Sequence, residues 1–292
     1  MASEGDRRSD PEVERRSRLL GGLHFEGEGA RGVAIALVST AVFVAILIAA
    51  VTQSPGWPEV KRTFFDWGDI SNAFPDIARA FVLNVKIFLV CEVFILVFAL
   101  VIAVLRSLPG PVFFPLRALA IVYADIARGV PTILVIALLG FGAPALQLNG
   151  VPRSPVFWAG LGLILIYSGY VAEVYRAGIE SVHPSQEAAA RSLGLSRFQA
   201  LRRVILPQAI RRVIPPLLND FIGLQKDTAL VGTLGVIEAF NQAQIDTNAT
   251  FTYGSYLAAA ALFVAITIPL ARLTDWLIAR DRQKRQAAGG FA

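Results

Sequence analysis

Seven ionisable side chains stand inside or beside long apolar stretches of this chain: Lys86, Glu92, Asp125, Arg128, Glu173, Lys226 and Asp227. A charge in hydrocarbon is costly, so such residues face a bundle interior or a watery cavity and often mark a pathway for an ion or polar solute. Asp125 with Arg128, and Glu173 with Arg176, repeat an i,i+3 spacing at which the two charges can neutralise each other. Lys86 lies near one end of its stretch, where its stem can snorkel. Arg128-Gly129-Val130-Pro131 is the sharpest element. Glycine and proline together can break a helix and expose half-helix ends near a membrane midplane. Arg128 beside the break is placed to meet the α-carboxylate of an amino acid, and a purely structural charge pair is the other reading. Lys226-Asp227-Thr228 reads as an unwound stretch whose backbone needs partners.

Catalytic chemistry finds no support. A phosphate-cradling G-x-x-x-x-G-K-[ST] loop is absent, because none of the four lysines, Lys61, Lys86, Lys226 and Lys284, follows a glycine. No G-x-S-x-G elbow occurs. His24 and His183 are far apart and Cys91 is the single cysteine, which leaves no metal spacing and no disulfide. No catalytic residue, metal or cofactor is therefore assigned to this chain.

The elements that position these charges follow from hydropathy. The chain has 292 residues, 55% hydrophobic and 17% charged, with a mean hydropathy of +0.57. That is too apolar for a soluble domain of this length. A spanning helix needs about 20 apolar residues, and six candidates occur: Val33–Val51, then about Phe81–Leu105, Ala118–Gly142, Val156–Tyr175, Val213–Ala239 and Tyr256–Ala279. The expected fold is all-α, a polytopic membrane protein. The 19-residue apolar run of the first span exceeds a signal peptide's usual ~7–15. Residues 1–32 are polar, with six Arg against seven Asp/Glu, and are expected to be disordered. The first span and an external loop then occupy 33–80, the core 81–279 and a basic tail 280–292.

The net charge of +5 is concentrated in connections, which argues for the positive-inside rule rather than nucleic acid. Arg176, Arg191, Arg197, Arg202, Arg203, Arg211 and Arg212 crowd the segment between the fourth and fifth spans, and Arg280, Arg282, Lys284 and Arg285 the tail. Loop 143–155 has only Arg153, and 240–255 has no basic residue. Both termini and the Arg-rich segment are thereby expected in the cytoplasm. Loop 52–80 faces out, with Trp57, Phe64, Phe65 and Trp67 as interfacial anchors.

The Arg-rich connection, about 182–212, is far longer than the usual 2–8 residues between bundled helices. Gln186–Leu193 is rich in helix formers, Gly194 suits a left-handed helix end, and Ser196 with Gln199 forms a capping box. A second helix is predicted from there until Pro207 disrupts it, with Phe198, Leu201 and Ile205 on one face and Arg203 opposite. Such an elbow fits either a membrane surface or the groove of a cytosolic partner.

Ala188 to Pro207 resembles the EAA loop of ABC importer permeases: EAA, three residues, Gly, nine residues, an aliphatic, one residue, Leu-Pro. Here Gly194 is followed after nine residues by Val204, then Leu206-Pro207. The one departure is Ala188 where the family has Glu; Glu187 sits one residue early. Further segments resemble the polar amino-acid branch in order: NVKIFLV from Asn84, Tyr123 with Arg128-Gly129-Val130-Pro131, Ser168–Glu173 with Arg176–Ile179, and Lys226-Asp227-Thr228 with Leu230. The resemblance covers roughly residues 80–280. It implies a permease subunit for a polar amino acid, with glutamate or glutamine as the expected class. It also implies partners: ABC ATPase subunits carrying ATP and Mg, a second permease subunit, identical or related, an external substrate-binding protein, and the lipid bilayer. Ala188, Ala189, Arg191, Ser192, Gly194, Leu195, Phe198, Leu201, Leu206 and Pro207 would then couple to the ATPase. Arg128, Gly129, Pro131, Glu173, Lys226, Asp227 and Thr228 would line the pathway. Two other classes compete: an ion-coupled secondary amino-acid carrier, which needs no long cytoplasmic elbow, and a non-transporting scaffold, which leaves the mid-span charges unexplained.

Overall fold

A computed structural model describes residues 30–108 and 110–289. The expected disorder of the polar leader falls outside the described residues for all but its last three. Helices joined by short turns make up the described residues, without strands. They divide into two units, one reaching Val60 and one starting at Lys61. The first unit holds α1 (Ala30–Thr52), uncharged from Gly32 onward and nearly all exposed. A short helix, α2 (Trp57–Phe64), lies at the boundary.

The second unit begins with α3 (Trp67–Ser107), capped by Asp66, whose side chain accepts from the Asp69 amide. The expected external loop is therefore helical from Trp67. Next come α4 (Phe114–Gly129) and α5 (Thr132–Ala137), the latter running through a wide π-helical turn at Leu138–Gly142 to Ala145. The third candidate span is not one straight helix, because the two pieces meet at 104°. Val130 is extended, at φ −100° and ψ 130°, as a residue before proline prefers, and Pro131 has no amide hydrogen to continue the ladder. Then follow α6 (Pro155–Glu180), the elbow, α9 (Leu206–Asp227), a 3₁₀ segment Thr228–Leu234, α10 (Ala239–Thr250) and α11 (Gly254–Gly289).

Among the described residues, four helices are long and apolar enough to cross a membrane, or five if the bent pair is one span. The expected span Val213–Ala239 is not among them. It is divided among α9, the 3₁₀ segment and the start of α10, and of its polar residues Gln225, Thr228 and Glu238 are buried while Asn219, Lys226 and Thr233 are exposed. Helix α10 fills most of the connection expected as an external loop, and α11 continues through the expected tail to Gly289.

Helix α6 is the hub. Its buried side chains Leu163, Ile166 and Val171 join Ile87, Cys91 and Ile95 of α3, Ile136 of α5 and Leu224 of α9 in one core. Glycines allow close approach: a Cβ on Gly169 would meet Ala127, and one on Gly178 would collide with Val213 of α9. Small residues at such contacts replace the hydrophobic drive that lipid cannot supply. A second core joins Ile77 and Phe81 of α3 to Ala239 and Ala243 of α10 and Ala258 and Ala259 of α11. The outer face of α3 leaves Val93, Val97, Leu100 and Val104 exposed, the pattern of a helix in lipid.

Candidate functional site

Two places bring functional side chains together. The first is a cavity of about 430 Å³ lined by Arg128 of α4, Tyr170 and Glu173 of α6, and Arg212, Pro216 and Asp220 of α9. Arg128 reaches it because α4 ends at Gly129, which frees the last turn from a continuing helix. Its guanidinium donates to Asp125 at 2.9 Å, as the i,i+3 spacing suggested, and Tyr170 Oη donates to the Arg128 carbonyl at 3.3 Å. Glu173 pairs with Arg176 on its own helix, as predicted, and with Arg106 of α3 at 2.7 Å. Arg176 also pairs with Glu180. Arg212 donates to the Ser181 carbonyl at the end of α6. Asp220 contributes a carboxylate with one oxygen, Oδ2, that is buried and has no hydrogen-bond partner. The cavity thus carries cations at one edge and an underemployed anion at another.

Of the sequence-predicted pathway residues, only Arg128 and Glu173 line this cavity. Gly129 and Pro131 act one step back, forming the break. Lys226 lines a separate cavity with Phe240 and Phe263, and the Asp227 carboxylate accepts from Tyr167 Oη at 3.0 Å. Thr228 is fully buried in a network that sequence reasoning did not assemble. Asn84 Nδ2 donates to Thr228 Oγ1 at 3.2 Å and to Glu238 Oε2 at 2.9 Å, while Asn84 Oδ1 accepts from the Ala239 amide at 3.0 Å. Glu238 caps α10 by accepting from the Phe240 and Asn241 amides. These bonds tie α3, the 3₁₀ segment and α10 together. Helix α9 does end at Asp227, where the tighter 3₁₀ segment begins, so the expected irregularity at Lys226-Asp227 falls where the regular helix ends. Asp220 carried no motif, Tyr170 sat within the Ser168–Glu173 segment without a role of its own, and Arg212 counted only toward the basic connection; the fold makes them cavity residues. No group of His, Cys, Asp and Glu able to hold a metal occurs among the described residues.

The second place is the elbow. Helix α7 (Pro184–Ser192) is capped by His183, whose Nδ1 accepts from the Ser185 amide at 3.2 Å. It stops at Gly194, which sits at φ +85°, and the Leu195 amide returns to the Ala190 carbonyl at 3.2 Å, the closure typical of a glycine-ended helix. Ser196 and Gln199 form the predicted capping box and start α8 (Arg197–Ala200).

One expectation fails here: Pro207 does not end the second helix. A π-helical turn at Leu201–Ile205 widens the helix by one residue, and the Leu206 amide bonds back to the Leu201 carbonyl. Pro207 follows directly at the second position of α9, where the missing amide hydrogen leaves one ladder bond unmade without ending the helix. The elbow therefore enters α9 without a loop.

Two alanines of the elbow face inward and four large apolar residues face outward. Ala190 and Ala200 are buried, whereas Leu193, Phe198, Leu201 and Leu206 are exposed, Leu193 at 83%. Ala188, Ala189, Arg191, Ser192 and Pro207 are exposed as well, and Leu195 is partly covered. Glu187, one residue from its usual place, approaches Arg197 across the bend at 3.8 Å; at such exposure the pair contributes under about 1 kcal/mol.

The family described as "Binding-protein-dependent transport system inner membrane component" matches residues 112–283. A probable amino-acid permease protein YxeN of Bacillus subtilis (strain 168) is 36% identical over 211 residues, covering 72% of this chain and 93% of that protein. A glutamate transport system permease protein, GluC, of Corynebacterium glutamicum is 33% identical over 215 residues, covering 70% and 92%. Among solved structures, an amino acid ABC transporter crystallised with histidines superposes at a TM-score of 0.67 with 29% identity, over 74% of this chain and 98% of that one. With a family match across more than half its length and relatives named as permeases, the chain belongs to the binding-protein-dependent transport system inner membrane components. It is a multi-pass cell-membrane permease subunit of the amino-acid ABC importer type, and not itself an enzyme.

Proposed function

We propose that this chain carries a polar amino acid across the cytoplasmic membrane, driven by ATP and Mg bound on partner ATPase subunits that grip the elbow. The observation that carries this reading is the direct helical continuity between an elbow displaying Leu193, Phe198, Leu201 and Leu206 and the helix that supplies Arg212 and Asp220 to the cavity. Exposed apolar side chains on a rigid bend suit a groove in another protein. The coupling residues are Ala188, Ala189, Arg191, Ser192, Gly194, Leu195, Phe198, Leu201, Leu206 and Pro207.

In the cavity, Arg128 and Arg212 suit a carboxylate and Asp220 an ammonium group, the two charges of an amino acid. Glutamate or glutamine is the proposed substrate class, supported by relatives named as glutamate and glutamine permeases. A second permease subunit, identical or related, completes the pathway, and an external binding protein delivers the substrate. The arginine distribution favours a cytoplasmic place for both termini and the elbow, which requires the segment Val213–Ala239, too polar to count among the helices above, to cross as well.

Gly194→Glu tests the elbow. The backbone strain at φ +85° is about 1–2 kcal/mol, and no atom crowds the site, so the variant is expected to fold but not to co-purify with its ATPase. Normal co-purification would remove the docking reading. Arg128→Ala is expected to abolish uptake by the reconstituted complex while leaving it assembled. Dissociation would make Arg128 structural. Uptake is expected to stop on ATP depletion and to survive collapse of the membrane potential; the opposite result would indicate an ion-coupled carrier.

A further inference from the structure

A second cavity, of about 500 Å³, lies between α3 and α6 and differs in kind from the charged one. Ile87, Phe94 and Phe98 of α3 and Gly160 and Ile164 of α6 are among its walls, and the only charged residue lining it is Lys86. Its floor is closed: Cys91 is 2% exposed and its Sγ contacts the Gly160 carbonyl at 3.6 Å. Its flank is open, with Val90, Phe94 and Phe98 about half exposed toward the lipid side of α3. Gly160 leaves room in the wall, since a Cβ there would meet only Cys91 Sγ at 3.5 Å.

The two helices run parallel here, with Cys91 beside Gly160 and Arg106 beside Glu173, so the groove has one end near Lys86 and the start of α6, and another at Phe98 and Leu165. From Lys86 to Phe98 is roughly 18 Å at the helical rise of 1.5 Å per residue, against about 15 Å for half a bilayer's hydrocarbon. With Lys86 at headgroup level, an apolar trough about one acyl chain long would lie beneath it. Among the described residues, no carboxylate pairs with Lys86, and its side chain is exposed. A protein segment could fill the trough while leaving that ammonium group in water. A phospholipid brings an apolar chain and an anion at once.

We infer that this groove is a binding site for an anionic phospholipid, its phosphate paired with Lys86 and one acyl chain laid between α3 and α6. The site is separate from the charged cavity, with no lining residue in common, and does not depend on which solute crosses. The test uses the complete transporter, purified and delipidated in detergent, then incubated with phosphatidylglycerol or phosphatidylcholine and examined by native mass spectrometry. Wild-type protein is expected to retain phosphatidylglycerol in preference. Lys86→Gln is expected to reduce that preference by about fivefold, the effect of one basic residue near a membrane surface. Gly160→Leu, which fills the trough, is expected to lower retention of both lipids. If Gly160→Leu fails to assemble, Leu161→Trp replaces it at the same wall with the same expectation. Equal retention of the two lipids by wild type and Lys86→Gln would overturn the headgroup assignment. Undiminished retention in the wall variants would overturn the location. A photoreactive residue at position 94 should label lipid; labelling another polypeptide segment instead would overturn the lipid occupant.

Discussion

Asn84→Leu is the substitution whose effect can be worked most fully from the structure. Asn84 is 1% exposed and makes three hydrogen bonds, to Thr228, Glu238 and the Ala239 amide. Leucine matches its bulk but makes none of them. Thr228 Oγ1 keeps its donation to the Gln225 carbonyl, and Glu238 Oε2 keeps the Phe240 amide. Among the described residues, the Ala239 N–H has no other hydrogen-bond partner. An orphaned buried amide costs about 1–3 kcal/mol, and losing a bond to a carboxylate a further 1.5–3 kcal/mol or so. The expected loss is about 3–5 kcal/mol, on the order of 10 °C in unfolding midpoint for a chain of this size. Thermal unfolding of the detergent-purified protein measures it. Asn84→Asp keeps the shape and the accepting oxygen but sets a second carboxylate against Glu238, and is expected to be at least as damaging. A midpoint for Asn84→Leu within about 2 °C of wild type would refute the reasoning, since it would mean that the network contributes nothing.

Gly178→Ile should drive α6 and α9 apart at Val213 and cost about 1–3 kcal/mol through overpacking; Val213→Ala in the same chain should restore most of the unfolding midpoint, and no rescue would mean that this contact is not the cause. Glu173→Gln removes the anion shared by Arg106 and Arg176, and with the Arg106 side chain only 12% exposed the loss should be on the order of 3 kcal/mol. Adding Arg106→Ala should recover part of that loss in a double-mutant cycle, because no charge is then left without its partner.

What could be read from the sequence was local in the chain. Gly194, Ser196 and Gln199 signal their conformations within four residues, so the elbow was legible in detail. Val130-Pro131 likewise announces a break, because both the restriction before proline and the missing amide act on adjacent bonds. Pro207 misleads for the same reason: the rule that proline ends a helix is local, and the π-helical turn that absorbs it depends on how the elbow joins α9. Val213–Ala239 reads as one span because an apolar average ignores where the polar side chains point. Gln225 is buried, with Oε1 bound by Thr267 of α11, a partner 42 residues away. Asn84 and Glu238 are 154 residues apart, and Arg128 meets Arg212 and Asp220 only when α4, α6 and α9 converge. Nothing within any one of these segments encodes the others.

The widened turn at Leu201–Ile205 has a mechanical meaning. A flexible loop between the elbow and α9 would absorb a push as slack. A helical connection passes more of it on, and the face of the charged cavity carrying Arg212, Pro216 and Asp220 would move against the facing wall of Arg128 and Tyr170, with Pro215 and Pro216 as the point where α9 can bend because two ladder bonds are missing. Because a helix holding one surplus residue can expel it, the same turn also allows a discrete twist of about 100° in phase between the two ends, a step rather than a continuous bend.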